Sequence, residues 1–229
     1  MATVAAPSFV SDLMNQVTES FKYNLQVLPD TLLAASLLFS LLFQSVALAA
    51  LFISLVVHAG LHGLIAGFLG RNIAGLRRPS GNAQCSGTFP GSLYTRAAAM
   101  ANGNNDMTDS GWPSYYASFM GFLMAYLASL TVIYSNELKA SPQRRTATGS
   151  GLVIAVIVLL MCVVYRLSVP CEDVFGILGG LVVGGILGVS FAGVLAYISD
   201  RTLTNVLALP LLTSTAADGK PLYVCAPAR

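Results

Sequence analysis

Charge is what this chain has least of. Only 10% of its 229 residues are Asp, Glu, Lys or Arg, against roughly 25% in ordinary soluble domains. Together with 55% apolar residues and a mean hydropathy of +0.71, that scarcity excludes a disordered chain and a water-soluble globule. A formal net charge of +2 is too small to point to a nucleic-acid partner. The four cysteines, Cys85, Cys162, Cys171 and Cys225, show neither paired nor metal-ligand spacing. Cys162 lies deep in an apolar run, so nothing fixes a redox compartment. The first twenty residues lack a basic stretch followed by an apolar core, and no cleavable secretory signal is expected. Asp12, Glu19 and the absence of arginine there argue against a removable organellar transit peptide. No Asn-x-Ser/Thr sequon marks a glycosylated lumenal loop. These exclusions leave an integral membrane protein.

What is present is long and apolar. Residues 31–70 carry no formal charge, and since one pass needs roughly 20 apolar residues, forty predict two passes, near 31–49 and 51–70, turning around Gln44 to Ala50. A polar loop follows at 71–113, then passes at 114–134, 151–168 and 174–198, with a short polar segment at 135–150 and a mixed tail at 199–229. Before them, Phe9, Leu13, Val17, Phe21 and Leu25 recur at steps of four, the stripe of an amphipathic helix in segment 1–30 that lies on a membrane interface, docks on a partner helix, or packs on the body of the protein. The expected fold is an all-α membrane bundle of about five helices preceded by that amphipathic helix. Lysines and arginines divide six and six between the two sides, so the positive-inside rule does not orient it. In the last pass Gly176, Gly180, Gly184 and Gly188 recur at steps of four, beside Gly179 and Gly185. Small residues at that spacing allow helix backbones to approach closely in lipid.

Three stretches fall at helix boundaries on one expected face. They are RNIAGLRRP from Arg71, GWPSYYASFMGFLMAYL from Gly111, and YRLSVPCEDVFGILGG from Tyr165. A charge at membrane depth costs about 3 kcal/mol unless paired or hydrated, so Arg166 and Asp173 need a reason for their positions. Arginines converging with a serine and helix N-termini form a cradle for phosphate, because fork-shaped donors fit oxyanions.

On these motifs the chain resembles the type 2 phosphatidic acid phosphatases, most closely the dolichyl-pyrophosphate phosphatase branch, over roughly residues 50–212. That family's pattern is Lys-x6-Arg-Pro, then Pro-Ser-Gly-His, then Ser-Arg-x5-His-x3-Asp opening a glycine-rich helix. Here Arg71 stands at the lysine position, followed by Arg78 and Pro79. The second motif reads Pro113-Ser114-Tyr115-Tyr116. The third is shortened, keeping Arg166 and then running to Cys171, Glu172 and Asp173. The stretch DRTLTNVLALPLL also resembles the branch's tail.

Both histidines on which the family's reaction depends are absent. The resemblance puts Tyr116 at the acid position and Cys171 or Glu172 at that of the nucleophile. A tyrosine with an ordinary pKa near 10 is a poor acid for a leaving oxygen, and a shortened loop misplaces an attacking group. No catalytic residue is therefore expected, and the retained half is the phosphate-holding one: Arg71, Arg78, Ser114 and Arg166. The competing reading of the arginines is head-group snorkelling and internal pairing, for example Arg166 with Asp173 or Glu172. Cys171 as a thiolate nucleophile would need a loop of amide donors that the sequence does not show. His58 and His62, four apart on the second pass, could hold a metal or haem, but no further ligand set accompanies them; otherwise they are a neutral pair hydrogen-bonded to neighbouring helices, or mark a subunit interface.

The expected function is non-catalytic. The chain is read as a pseudoenzyme derived from a lipid phosphatase, serving as a structural or accessory subunit of a larger membrane assembly that holds its tails. Such an assembly could be a respiratory complex in an organellar inner membrane or a virion with an internal membrane. No cofactor is implied beyond a bound phospholipid, and the expected partners are membrane lipids and other membrane subunits. The alternative is an active lipid phosphate or pyrophosphate phosphatase with an altered nucleophile.

Overall fold

A computed structural model describes residues 9–72, 112–140, 142–168, 172–199, 201–206, 212–215 and 221–223, with backbone alone at 9–11, 26, 70–72 and the last two stretches. Within them the chain is a helical bundle. Its helices are α1 (Phe9–Gln26), α2 (Leu28–Leu42), α3 (Val46–Asn72), α4 (Tyr115–Ile133), α5 (Ser135–Ala140), α6 (Pro142–Ser168) and α7 (Val174–Ile198). A 3-10 turn covers Thr202–Thr204, and two short antiparallel strands, β1 (Leu212–Thr215) and β2 (Pro221–Tyr223), lie in the tail.

Four of these helices, α3, α4, α6 and α7, are long and apolar enough to cross a membrane, and α1 with α2 form a bent pair, at 61°, that makes a fifth candidate. The chain is thus a multi-pass membrane protein of four to five spans. With 15 residues, α2 alone reaches only about 22 Å, short of a hydrocarbon core of about 30 Å. The turn after it is tighter than expected, confined to Phe43–Ser45, with Gln44 in the left-handed region at φ 48°. Among the described side chains of the apolar stripe of α1, Leu13, Val17 and Phe21 are exposed and Leu25 is buried.

Helix starts follow local chemistry. Ser114 caps α4 by accepting from the Ala117 amide (3.0 Å), and Asp173 caps α7 by accepting from the Gly176 amide (2.7 Å), each satisfying an otherwise orphan donor. α2 admits Pro29 because proline is tolerated in a helix's first turn. α6 begins at Pro142, ahead of the apolar run at 151: proline suits a helix's first turn, and Gln143, Arg144 and Arg145 are good helix formers although polar.

The core is a seam between α4 and α7. Ser114 and Gly176 meet at one end, through a 2.9 Å bond from the Ser114 amide to the Gly176 carbonyl, and Tyr134 meets Arg201 at the other; the two helices run parallel. Gly180, Gly184 and Gly188 lie against the backbone at Ser114, Ser118 and Phe122, so closely that a Cβ on any of them would collide with a carbonyl oxygen. Gly121 answers from α4, where a Cβ would meet the Leu181 carbonyl at 2.8 Å. Gly185, one residue off the ridge, faces open space. Side chains from α4 fill the rest: Phe119, Phe122, Tyr126 and Leu130 are buried, with Leu51 and Leu55 of α3 joining them. Half of α4's span is buried inside the bundle but only 6% of that of α6, which makes α4 the central helix and leaves α6 to face lipid or another chain.

Candidate functional site

The shortened third motif brings its charges to the start of α4. Glu172 accepts on both carboxylate oxygens, from the Ser114 hydroxyl (2.6 Å) and from the Arg166 guanidinium (2.8 Å). Both members of the ion pair are nearly dry, with side-chain exposures of 11% for Arg166 and 8% for Glu172. The Ser114 hydroxyl therefore uses its donor on Glu172 and an acceptor lone pair on the Ala117 amide. Asp173 is turned to the α7 amides. Of the two acids that the sequence offered as partners for Arg166, the structure pairs Glu172 with it.

Tyr116 forms the inner wall. The Arg166 guanidinium carbon sits 4.6 Å from its ring centroid, within cation–π range. Its hydroxyl donates to the Leu25 carbonyl (2.5 Å) at the end of α1, with Cys162 Sγ 3.2 Å away. These contacts tie α1, α4 and α6 together. The space between Tyr116, Cys162 and Arg166 is only about 10 Å³, room for one water at most.

The cradle expected from the four phosphate-holding positions is thus described in two of them. Ser114 and Arg166 come together, and the anion between them is the chain's own Glu172. Arg78 and Cys171 lie outside the described residues, as do Cys85, Cys225 and most of the 71–113 loop, and at Arg71 only the helical backbone is described.

His58 and His62 face the inside of the bundle from α3 and are fully buried. His58 Nε2 lies 3.0 Å from the Ser118 hydroxyl, and its ring packs 4.7 Å from Phe122. His62 packs edge-on against Tyr115 at 5.7 Å, with 5.9 Å between the two imidazole centroids. Among the described residues no group of three or more His, Cys, Asp or Glu side chains could hold a metal ion. A hydrogen bond between His58 and Ser118 and the packing of both rings against Tyr115 join α3 to α4.

A second clasp, at the opposite end of the α4–α7 seam, escaped the sequence reading. Tyr134 donates to the Arg201 carbonyl and lies 2.8 Å from the Thr204 hydroxyl. Arg201, in the left-handed region at φ 71°, reaches back to Glu137 at 3.2 Å. The Glu137 side chain is only 2% exposed, whereas Arg201 is 46% exposed. The one available signal was an acid, Glu137, immediately beyond an apolar run and flanked by Leu138.

Compared with protein-family models, with curated proteins and with solved structures, the chain finds no match in any of the three.

Proposed function

We propose that this chain is a non-catalytic membrane protein, derived from a lipid phosphatase, that serves as a structural or accessory subunit of a larger membrane assembly. The observation that carries the reading is the Glu172 carboxylate held between Ser114 and Arg166. A substrate phosphate would need those same donors. Displacing Glu172 would leave a carboxylate unpaired in a nearly dry site, which costs about 3–5 kcal/mol before any binding energy is gained. Tyr116 supports the same reading, because its proton is already donated to the Leu25 carbonyl. The long apolar surface of α6, left uncovered by the other described residues, supports membership of an assembly because it offers a face to a partner subunit.

Two measurements test this. After extraction from its own membrane in a mild detergent, the protein should run in a large complex of defined composition. Purified, it should release phosphate from phosphatidic acid and from polyprenyl pyrophosphate no faster than a detergent blank. Turnover above the blank that is lost in Glu172→Gln would overturn the reading in favour of an active phosphatase, and a protein that runs alone or as a small homo-oligomer would remove the subunit role.

A further inference from the structure

We infer that the groove between the end of α4 and the start of α6 binds the phosphate of an anionic phospholipid. The site lies at the opposite end of the bundle from Ser114 and Arg166 and is independent of them. It is a mostly apolar groove of about 290 Å³, lined by Leu138 and Leu152 together with Lys139, Arg145, Ser135 and Thr148. That volume suits a lipid head group rather than a single water.

Three observations point to this occupant. Lys139 and Arg145 line one cavity from two different helices, and neither has an acidic partner among the described residues. Glu137, the nearest acid in sequence, is turned inward to Arg201. Two exposed cations lining one groove with hydroxyls beside them offer the donors an anion takes, and phosphate accepts from guanidinium, ammonium and hydroxyl donors alike.

The depth is also right for a lipid. The groove sits where the apolar run of α4 ends at Ile133 and that of α6 begins near Leu152, the level of the head groups. From Leu152 the surface continues down α6 as exposed Val153, Ile154 and Ile157, a track for an acyl chain. A soluble anion would use the two cations and leave that track unused. A phospholipid uses both.

The test is native mass spectrometry on the full-length protein, in mixed micelles holding dioleoylphosphatidylglycerol and dioleoylphosphatidylcholine in equal amounts. Two basic side chains at a membrane surface predict that phosphatidylglycerol is retained about thirty-fold over phosphatidylcholine. Lys139→Gln with Arg145→Gln should abolish that preference. The charge-keeping pair Lys139→Arg with Arg145→Lys should retain most of it, and Lys22→Gln, on exposed α1, should leave it unchanged. Both target side chains are exposed, so folding should survive, as checked by an unchanged melting midpoint. Equal retention of the two lipids by the unaltered protein, or a preference that persists in the Gln pair, overturns the proposal. If millimolar inorganic phosphate displaces phosphatidylglycerol completely, the lipid assignment is also overturned and the site is one for the free anion.

Discussion

The two ends of the α4–α7 pair are assembled from the same parts and behave as different materials. Each has an arginine, a glutamate, a tyrosine and a hydroxyl. At the Ser114 end, Arg166 and Glu172 are both nearly dry, and the tyrosine, serine and carboxylate have their bonds directed at one another or at backbone. At the Tyr134 end, Glu137 is dry but Arg201 stands half in solvent. Burial decides what such a pair is worth. A charge that water can still reach is replaceable, whereas one sealed among protein atoms is tolerated only with its partner in place. The Ser114 end is thus a fixed joint, and the Tyr134 end a latch whose outer member can be rehydrated.

The sharpest way to break the comparison is at the fixed joint. Glu172→Ala leaves Arg166 buried without its counter-ion, and the expected loss is about 3–5 kcal/mol, read as a fall in the SDS-unfolding midpoint in dodecylmaltoside micelles. The apolar double variant Arg166→Met with Glu172→Leu should recover most of that loss, since removing both charges also removes their desolvation cost. If the double variant is as unstable as the single one, the joint depends on more than its charge balance and the contrast with the other end fails.

Next comes the seam that connects the ends. Gly184→Ala places a Cβ into the Ser118 carbonyl, and the expected loss is about 1–3 kcal/mol from overpacking. Gly185→Ala, one residue away and facing open space, should stay within about 0.5 kcal/mol of the unaltered protein. Equal effects from the two would mean that α4 and α7 do not meet along the Gly180–Gly188 face.

The seam shows how far the sequence could be read. Glycines at steps of four announce a helix face built for close approach, because only a missing Cβ makes that spacing useful. They do not name the neighbour, and the partner backbone at Ser114, Ser118 and Phe122 emerges only in three dimensions. Apolar composition likewise announced a multi-pass bundle but located the start of α6 from hydropathy alone, whereas the helix runs back through polar residues to Pro142. The pairing of Arg166 with a nearby acid was legible, since a charge at that depth requires one. That Ser114, 58 residues before Glu172, would donate to the same carboxylate was not, because no local pattern links the two segments. The far latch left the least trace. Glu137 lies in a polar stretch where an acid is unremarked, and its partner Arg201 is 64 residues away.

The smallest effects belong to that latch, and their order sharpens the comparison. Tyr134→Phe removes one donor to the Arg201 carbonyl and the contact with Thr204, leaving the Thr204 hydroxyl, at 3.2 Å, as that carbonyl's remaining side-chain donor. The expected cost is about 1–2 kcal/mol. Arg201→Lys should cost less, about 0.5 kcal/mol. Its ammonium can still approach Glu137, the tyrosine's acceptor at position 201 is backbone and survives the change, and the lost guanidinium was already half solvated. The same arginine-to-lysine change at Arg166 should cost several times more, because a nearly dry carboxylate and the Tyr116 ring both engage the guanidinium there and a more strongly hydrated ammonium replaces it poorly in such a site. Measured side by side in one detergent, the ratio of the two losses reports the difference in hydration between the ends. Equal losses would mean that solvent reaches Arg166 as readily as Arg201, and that the Ser114 end is no more closed than the latch.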